Sequence, residues 1–163
     1  KAVVAGMVSG VRVITDRKGK AMAFVTVEDF QGSYEAIVFS SCFDGSRDKL
    51  QKDDLVVVKG RVSTRDGSEN KIIADRIYTI DESLRYLARA VHLTLKDGDF
   101  GEPELIGVRD ALARHSGDRQ VIFNYRRNGG CYRIRAGNVG VSPGLDLIGE
   151  LSSIRGVEHV EVS

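Results

Sequence analysis

Two aromatic side chains, Phe24 and Phe39, and a scatter of cations, Arg17, Lys18, Lys20, Lys59, Arg61, Arg65 and Lys71, fall where a single nucleic-acid strand could be held. A ring stacked on a base contributes about 1–3 kcal/mol whatever the base, and lysine or arginine beside it neutralises phosphate. Catalytic chemistry has no comparable set. His92, His115 and His159 are scattered and lack metal-ligand spacing with Cys42 or Cys131. No glycine loop ending in Lys-Ser or Lys-Thr is present to cradle a phosphate. Asp53-Asp54 reads as a solvated turn rather than half of a two-metal centre. We therefore expect no catalytic residue, no metal and no cofactor in this chain.

The elements that must position these residues are short strands. Val3–Thr15 alternates as a first strand, with Gly6 and Gly10 allowing sharp bending. Asp16-Arg17-Lys18-Gly19-Lys20 loops to a second strand at Ala21–Glu28, and Asp29-Phe30-Gln31-Gly32 turns into a third at Ser33–Phe39. Residues 40–52 are polar, with Phe43, Arg47 and Leu50 at roughly helical spacing, and read as a helical plug for one end of a barrel. Leu55–Ser63 and Lys71–Ile80 supply the fourth and fifth strands around a turn at Asp66-Gly67-Ser68. Five strands with a helical crossover after the third describe an OB-fold barrel, which binds ligands on the face of strands 2 and 3 and between loops 1–2 and 4–5. On strand 2 the small branched set Ala23, Val25 and Val27 suits the interior, leaving Phe24 outside. On strand 3 Tyr34, Ala36 and Val38 turn inward, leaving Glu35 and Phe39 outside. Arg17, Lys18 and Lys20 then lie in the first loop, Arg65 and Lys71 flank the second, and Lys59 and Arg61 share one face of strand 4. The competing reading is that either ring is core, since bulges shift strand parity, and that the cations are an ordinary solvated surface.

Past residue 82 the pattern changes. Val91–Leu95 reads as a strand, Pro103–His115 as a helix, Gln120–Arg127 and Tyr132–Ala136 as a hairpin about Asn128-Gly129-Gly130. Ser142-Pro143 opens a second helix, with the hydroxyl as cap and proline in the first turn, and Val157–Val162 closes as a strand. This βαββαβ order is the ferredoxin-like one. The fold class is thus mixed: an OB-fold β-barrel over residues 1–82 and a small α+β domain over residues 83–163. With Phe123, Tyr125, Tyr132 and Ile134 against the helices, Arg126, Arg133 and Arg135 fall on the outer face as a patch for phosphate or an acidic partner.

A formal net charge of +1 excludes a bulk electrostatic case for nucleic-acid binding, so any basic surface is local. No apolar run is long enough to span a membrane. Two cysteines, one in each half, suit reduced thiols and a cytoplasmic compartment. Strand-like alternation beginning at Val3 suggests a piece of a longer polypeptide.

The run from Gly19 through Phe39, followed by Asp53-Asp54-Leu55-Val56-Val57-Val58-Lys59-Gly60-Arg61-Val62 and preceded by Val4-Ala5-Gly6-Met7-Val8-Ser9, resembles the OB domain in the carboxyl-terminal part of bacterial replicative DNA polymerase III alpha subunits. The resemblance covers roughly residues 3–80; beyond residue 84 only position, length and element order are similar to that subunit's terminal domain. It implies a parent that is a DNA-directed DNA polymerase, a nucleotidyltransferase whose carboxylates and metals lie elsewhere. It also implies single-stranded DNA and the tau subunit of the clamp loader as partners. The barrel is also similar to anticodon-binding domains of class II aminoacyl-tRNA synthetases, in which the aromatic at the position of Phe24 stacks on a base and the position of Glu35 contacts one. A carboxylate at Glu35 in place of a neutral amide suits sequence-independent binding. Three readings stand: a template-binding and docking module of a polymerase, an RNA-binding synthetase module, and a purely structural interaction scaffold.

Overall fold

The computed structural model describes residues 1–63, 71–96, 98–127 and 130–163. Arg65, the turn at Asp66-Gly67-Ser68 and the Asn128-Gly129 turn therefore lie outside the described residues. The chain divides into two compact units, Lys1–Ile80 and Asp81–Ser163.

In the first unit, β1 (Ala2–Thr15), β2 (Ala21–Asp29), β3 (Gly32–Val38), β4 (Leu55–Val62) and β5 (Lys71–Thr79) close a barrel in the order β1-β2-β3-β5-β4. All pairs are antiparallel except β3 with β5. Closure depends on β1 serving two neighbours. Its Ala2–Met7 half pairs with β4 and its Met7–Thr15 half with β2, and a bulge between Val8 and Gly10 re-aims the strand between them. Gly6 sits where the strands press together: a methyl there would collide with the Glu28 carbonyl. The alternation expected on β2 and β3 holds, since Ala23, Val25, Val27, Ala36 and Val38 are fully buried. Between β3 and β4 come α1 (Ser40–Phe43) and a 3-10 turn (Arg47–Lys49). Phe43 and Leu50 from this stretch join the barrel core, so it is the plug its spacing suggested.

The second unit contains α2 (Ile80–Leu87, at the division), β6 (Ala90–Lys96), α3 (Glu102–Arg114), β7 (Ser116–Arg127), β8 (Gly130–Val141), α4 (Leu145–Ser152) and β9 (Val157–Val162). The βαββαβ order is present, yet the sheet runs β8-β7-β6-β9 with β6 and β7 directly paired and parallel. The ferredoxin-like expectation is thereby corrected, because that fold splits the first βαβ unit with another strand. β8 is the mostly exposed edge of this sheet, with Arg133 and Arg135 on its open face and its pairing with β7 irregular beyond Arg135.

The start of the last helix is a second correction. α4 opens at Leu145 behind Gly144, not at Ser142-Pro143, and has no side-chain cap of its own. Asp81, 64 residues earlier, accepts the Leu145 amide at 2.9 Å and binds Arg85 Nε at 2.8 Å. A methyl at Gly144 would press on the ends of the Asp81 and Arg85 side chains, which would have to shift. Val91, Leu93, Val108, Val121, Val141, Leu147 and Leu151 form the core beneath the helices. No helix among the described residues is long and apolar enough to cross a membrane.

Candidate nucleic-acid interface

The β1–β2 loop is shaped by one carboxylate. Asp16 Oδ1 accepts the amides of Lys18 at 2.8 Å and Lys20 at 2.9 Å, and the loop closes through Asp16 N–H to the Lys20 carbonyl at 2.7 Å. Gly19 takes φ +77°, a conformation costly for a side chain. The amide of Lys20 above all, then that of Lys18 and the nearby ammonium charges, hold the Asp16 carboxyl below its usual range. Arg17, Lys18 and Lys20 are all exposed around this turn.

Strand register assembles the face beside that loop. Arg12 pairs with Phe24, Phe24 with Ile37, Ile37 with Ile73, and Ile73 with Arg61. Facing residues share a side of the sheet, so these five side chains cross the outside of the barrel as one row. Its three apolar members are half-buried, and its ends are exposed arginines. The Arg12 guanidinium lies 4.6 Å over the Phe24 ring. Arg61 reaches Asp75 at 3.4 Å. The next row brings Thr26 to Glu35 and Glu35 to Lys71, whose ammonium is 3.5 Å from the carboxylate.

Phe24, Glu35, Arg61 and Lys71 are thus brought together, with the Arg17–Lys20 loop at the near end of β2. Phe39 is not paired with Phe24. It follows the last residue of β3, its carbonyl accepts the amides of Cys42 and Phe43, and its ring is 45% exposed. Lys59 lies on the outer face opposite Val3 and Arg76, off the row. Arg12, Ile73 and Asp75 escaped the sequence reading, as did the pairing of the outward Ile37 with Phe24. The bulge at Ser9 hides the facing of Arg12, and strand pairing alone reveals the two isoleucines.

In the second unit, Arg133 faces Asn124, Arg135 faces Ile122 and Arg126 faces Cys131, so these three arginines share the sheet face away from the helices, as expected. Glu158 lies on that face too, 3.6 Å from Arg126. Tyr132 and Ile134 pair with Tyr125 and Phe123 on the helix side but are 58% and 54% exposed, not buried under helices. Among the described residues no cluster of three metal-ligating side chains occurs. His115 engages Glu150 at 3.2 Å and His92 engages Ser163 at 3.0 Å. Burial pushes the Cys42 thiol above its ordinary value, which disfavours the reactive thiolate.

The family described as "OB-fold nucleic acid binding domain" matches residues 2–80, the barrel. Among curated proteins, DNA polymerase III subunit alpha of Escherichia coli K12 is 32% identical over 97% of the chain. The Pseudomonas fluorescens subunit is 33% identical over 75%, and that of Halalkalibacterium halodurans 26% over 98%. The chain spans only 14%, 10% and 14% of these relatives' own lengths. A closed five-stranded barrel with this register, in a chain related along nearly its whole length to those subunits, belongs to the DNA polymerase III alpha family as a segment carrying its OB-fold nucleic acid binding domain.

Proposed function

We propose that this segment is the non-catalytic part of a replicative DNA polymerase alpha subunit that holds single-stranded template through its barrel and docks to the clamp-loader tau subunit through its second unit. The whole subunit would act in the cytoplasm as the DNA-directed DNA polymerase. The observation that carries the reading is the outer-face row Arg12–Phe24–Ile37–Ile73–Arg61 beside the ordered Arg17, Lys18 and Lys20 loop. A ring flanked by apolar side chains stacks against the face of any base without reading its edges, and the cations meet phosphates. Stacking with backbone contact suits a protein that must pass every template sequence. The Lys71 ammonium stands 3.5 Å from the Glu35 carboxylate, so this carboxylate is already engaged in an ion pair.

Anisotropy titration of a labelled oligothymidylate, its duplex and an RNA counterpart tests this. Single-stranded DNA should bind more tightly than duplex, with log affinity falling about 2–4 units per unit of log salt. Replacing Arg17, Lys18 and Lys20 together by alanine should flatten that slope by about 2. Absence of binding by a folded sample at low salt, or a preference for duplex, refutes the reading; a strong preference for RNA points to the synthetase-like alternative.

A further inference from the structure

Strand β8 is an edge with a composition that invites company. It ends the sheet order β8-β7-β6-β9, so along its outer side alternate backbone N–H and C=O groups meet no strand among the described residues. Natural edges are blunted by bulges, inward charges or covering segments. Here residues Gly130–Arg135 pair regularly with Arg127–Ile122, and irregularity begins only beyond, where Gly140 faces Gln120 but Arg135 faces Ile122. The regular stretch carries two distinct margins. Tyr132 and Ile134 lie exposed on the helix side; Arg133 and Arg135 lie exposed on the other. No acidic residue occurs anywhere in β8. Past Arg135 the register with β7 is broken, and Asn138 takes φ +56°. A groove of about 370 Å³ opens between this segment and α3, lined by Leu105, Val108, Leu112, Phe123, Ala136 and Val139.

From this we infer that β8 is the docking edge of the second unit. It accepts an extended partner peptide of alternating acidic and apolar residues as an added strand. The inference deepens the docking role proposed above and rests on it. The peptide's main chain pairs with Gly130–Arg135, its carboxylates meet Arg133 and Arg135, and its apolar side chains cover Tyr132 and Ile134. One further apolar residue fills the groove. Main-chain pairing supplies affinity in this mode, and alternate side chains supply choice. Charge selects a protein segment over nucleic acid. Glu158 and Glu161 share the arginine face with His92 and His159, and among the described strand residues no phenylalanine, tyrosine or tryptophan faces that side. A phosphate backbone crossing that sheet would meet carboxylates, whereas a strand added outside β8 meets only arginines.

The test uses the whole 163-residue fragment and a labelled seven-residue peptide alternating glutamate with leucine or valine. Binding should be saturable, and Arg133→Glu combined with Arg135→Glu should weaken it by more than tenfold. Two N-methylated versions of the peptide give the decisive readout. Methyls on one alternating set of amides should abolish binding, while methyls on the other set should be tolerated, because only one edge of an added strand pairs. Equal affinities of the two methylated peptides, or no peptide binding by folded protein, overturn the inference. So does displacement of the peptide by equimolar oligothymidylate, which would make β8 a nucleic-acid path. Capture of the tau subunit by the same fragment is measured alongside. Capture that survives the double charge reversal sinks the edge assignment alone, and failure of the unaltered fragment to capture it sinks the docking role itself.

Discussion

Replacing Phe24 by alanine separates a ligand-facing ring from a core ring, because the two positions lose free energy in different measurements. The ring stands on the outside of β2, half-buried, with Arg12 4.6 Å above it. Full burial of such a side chain is worth about 1.5–3 kcal/mol, so half of that is about 1 kcal/mol. The guanidinium contact adds about 0.5–1 kcal/mol. A total near 2 kcal/mol corresponds to a melting shift of roughly 8–16 °C for a domain of this size. A buried phenylalanine such as Phe43, 2% exposed, should cost about 3–5 kcal/mol and shift melting at least half as much again. Loss of one stacked base costs about 1–3 kcal/mol of affinity, a roughly 5- to 150-fold weakening of single-strand binding. The salt slope should stay unchanged, since no charge is removed. Anisotropy at several salt concentrations and thermal melts of Phe24→Ala and Phe43→Ala supply all the quantities. Wild-type affinity in Phe24→Ala, or a melting loss as large as that of Phe43→Ala, would refute the outward, stacking role.

Two further outcomes concern groups with perturbed titration. Burial first, and the Asp29 charge second, push Tyr34 up to about 12, and its buried hydroxyl has no hydrogen-bond partner among the described residues. Its stabilisation is therefore present below pH 10 and lost as pH rises through about 12. Absorbance titration should show one late-ionising tyrosine that vanishes in Tyr34→Phe, a variant of equal or greater stability at neutral pH because an unpaired hydroxyl is removed. The Arg85 hydrogen bond, then the Leu145 amide, hold Asp81 below the usual carboxylate range. Its capping of α4 is thus present above about pH 4 and lost as pH falls through the lowered value. Asp81→Ala should cost about 0.5–2 kcal/mol at pH 7, and denaturant melts of the two proteins should converge towards pH 2.

The barrel was legible because its signals are local. Gly19 and Gly32 mark turns, and Ala23, Val25 and Val27 set a parity that no later strand disturbs. The inward facing of Tyr34, Ala36 and Val38 and the Phe43–Leu50 plug follow from the same alternation and spacing. What escaped is relational. Phe39 alternates correctly yet stands one residue past the last β3 residue, and it is the register that opposes Phe24 to Ile37. Adjacency in the second unit cannot be read from element order. Both a split and an unsplit βαβ satisfy that order, and only the direct pairing of β6 with β7 decides between them. The cap of α4 comes from a residue 64 positions away, so the nearby Ser142 drew the expectation instead.

The ion pairs on the barrel face have a kinetic meaning. Arg61 with Asp75 and Lys71 with Glu35 carry their own tethered counterions. On the proposed strand path, a phosphate arriving at either cation displaces a carboxylate that swings only a few ångströms and remains poised to return. A freely dissolved counterion must diffuse back; a covalently attached one competes at once. On that proposed path each phosphate contact would be weakened and shortened in lifetime, while the cations of the Arg17–Lys20 loop would keep the strand nearby. Such a surface would trade grip for mobility, so that a bound strand could advance without letting go.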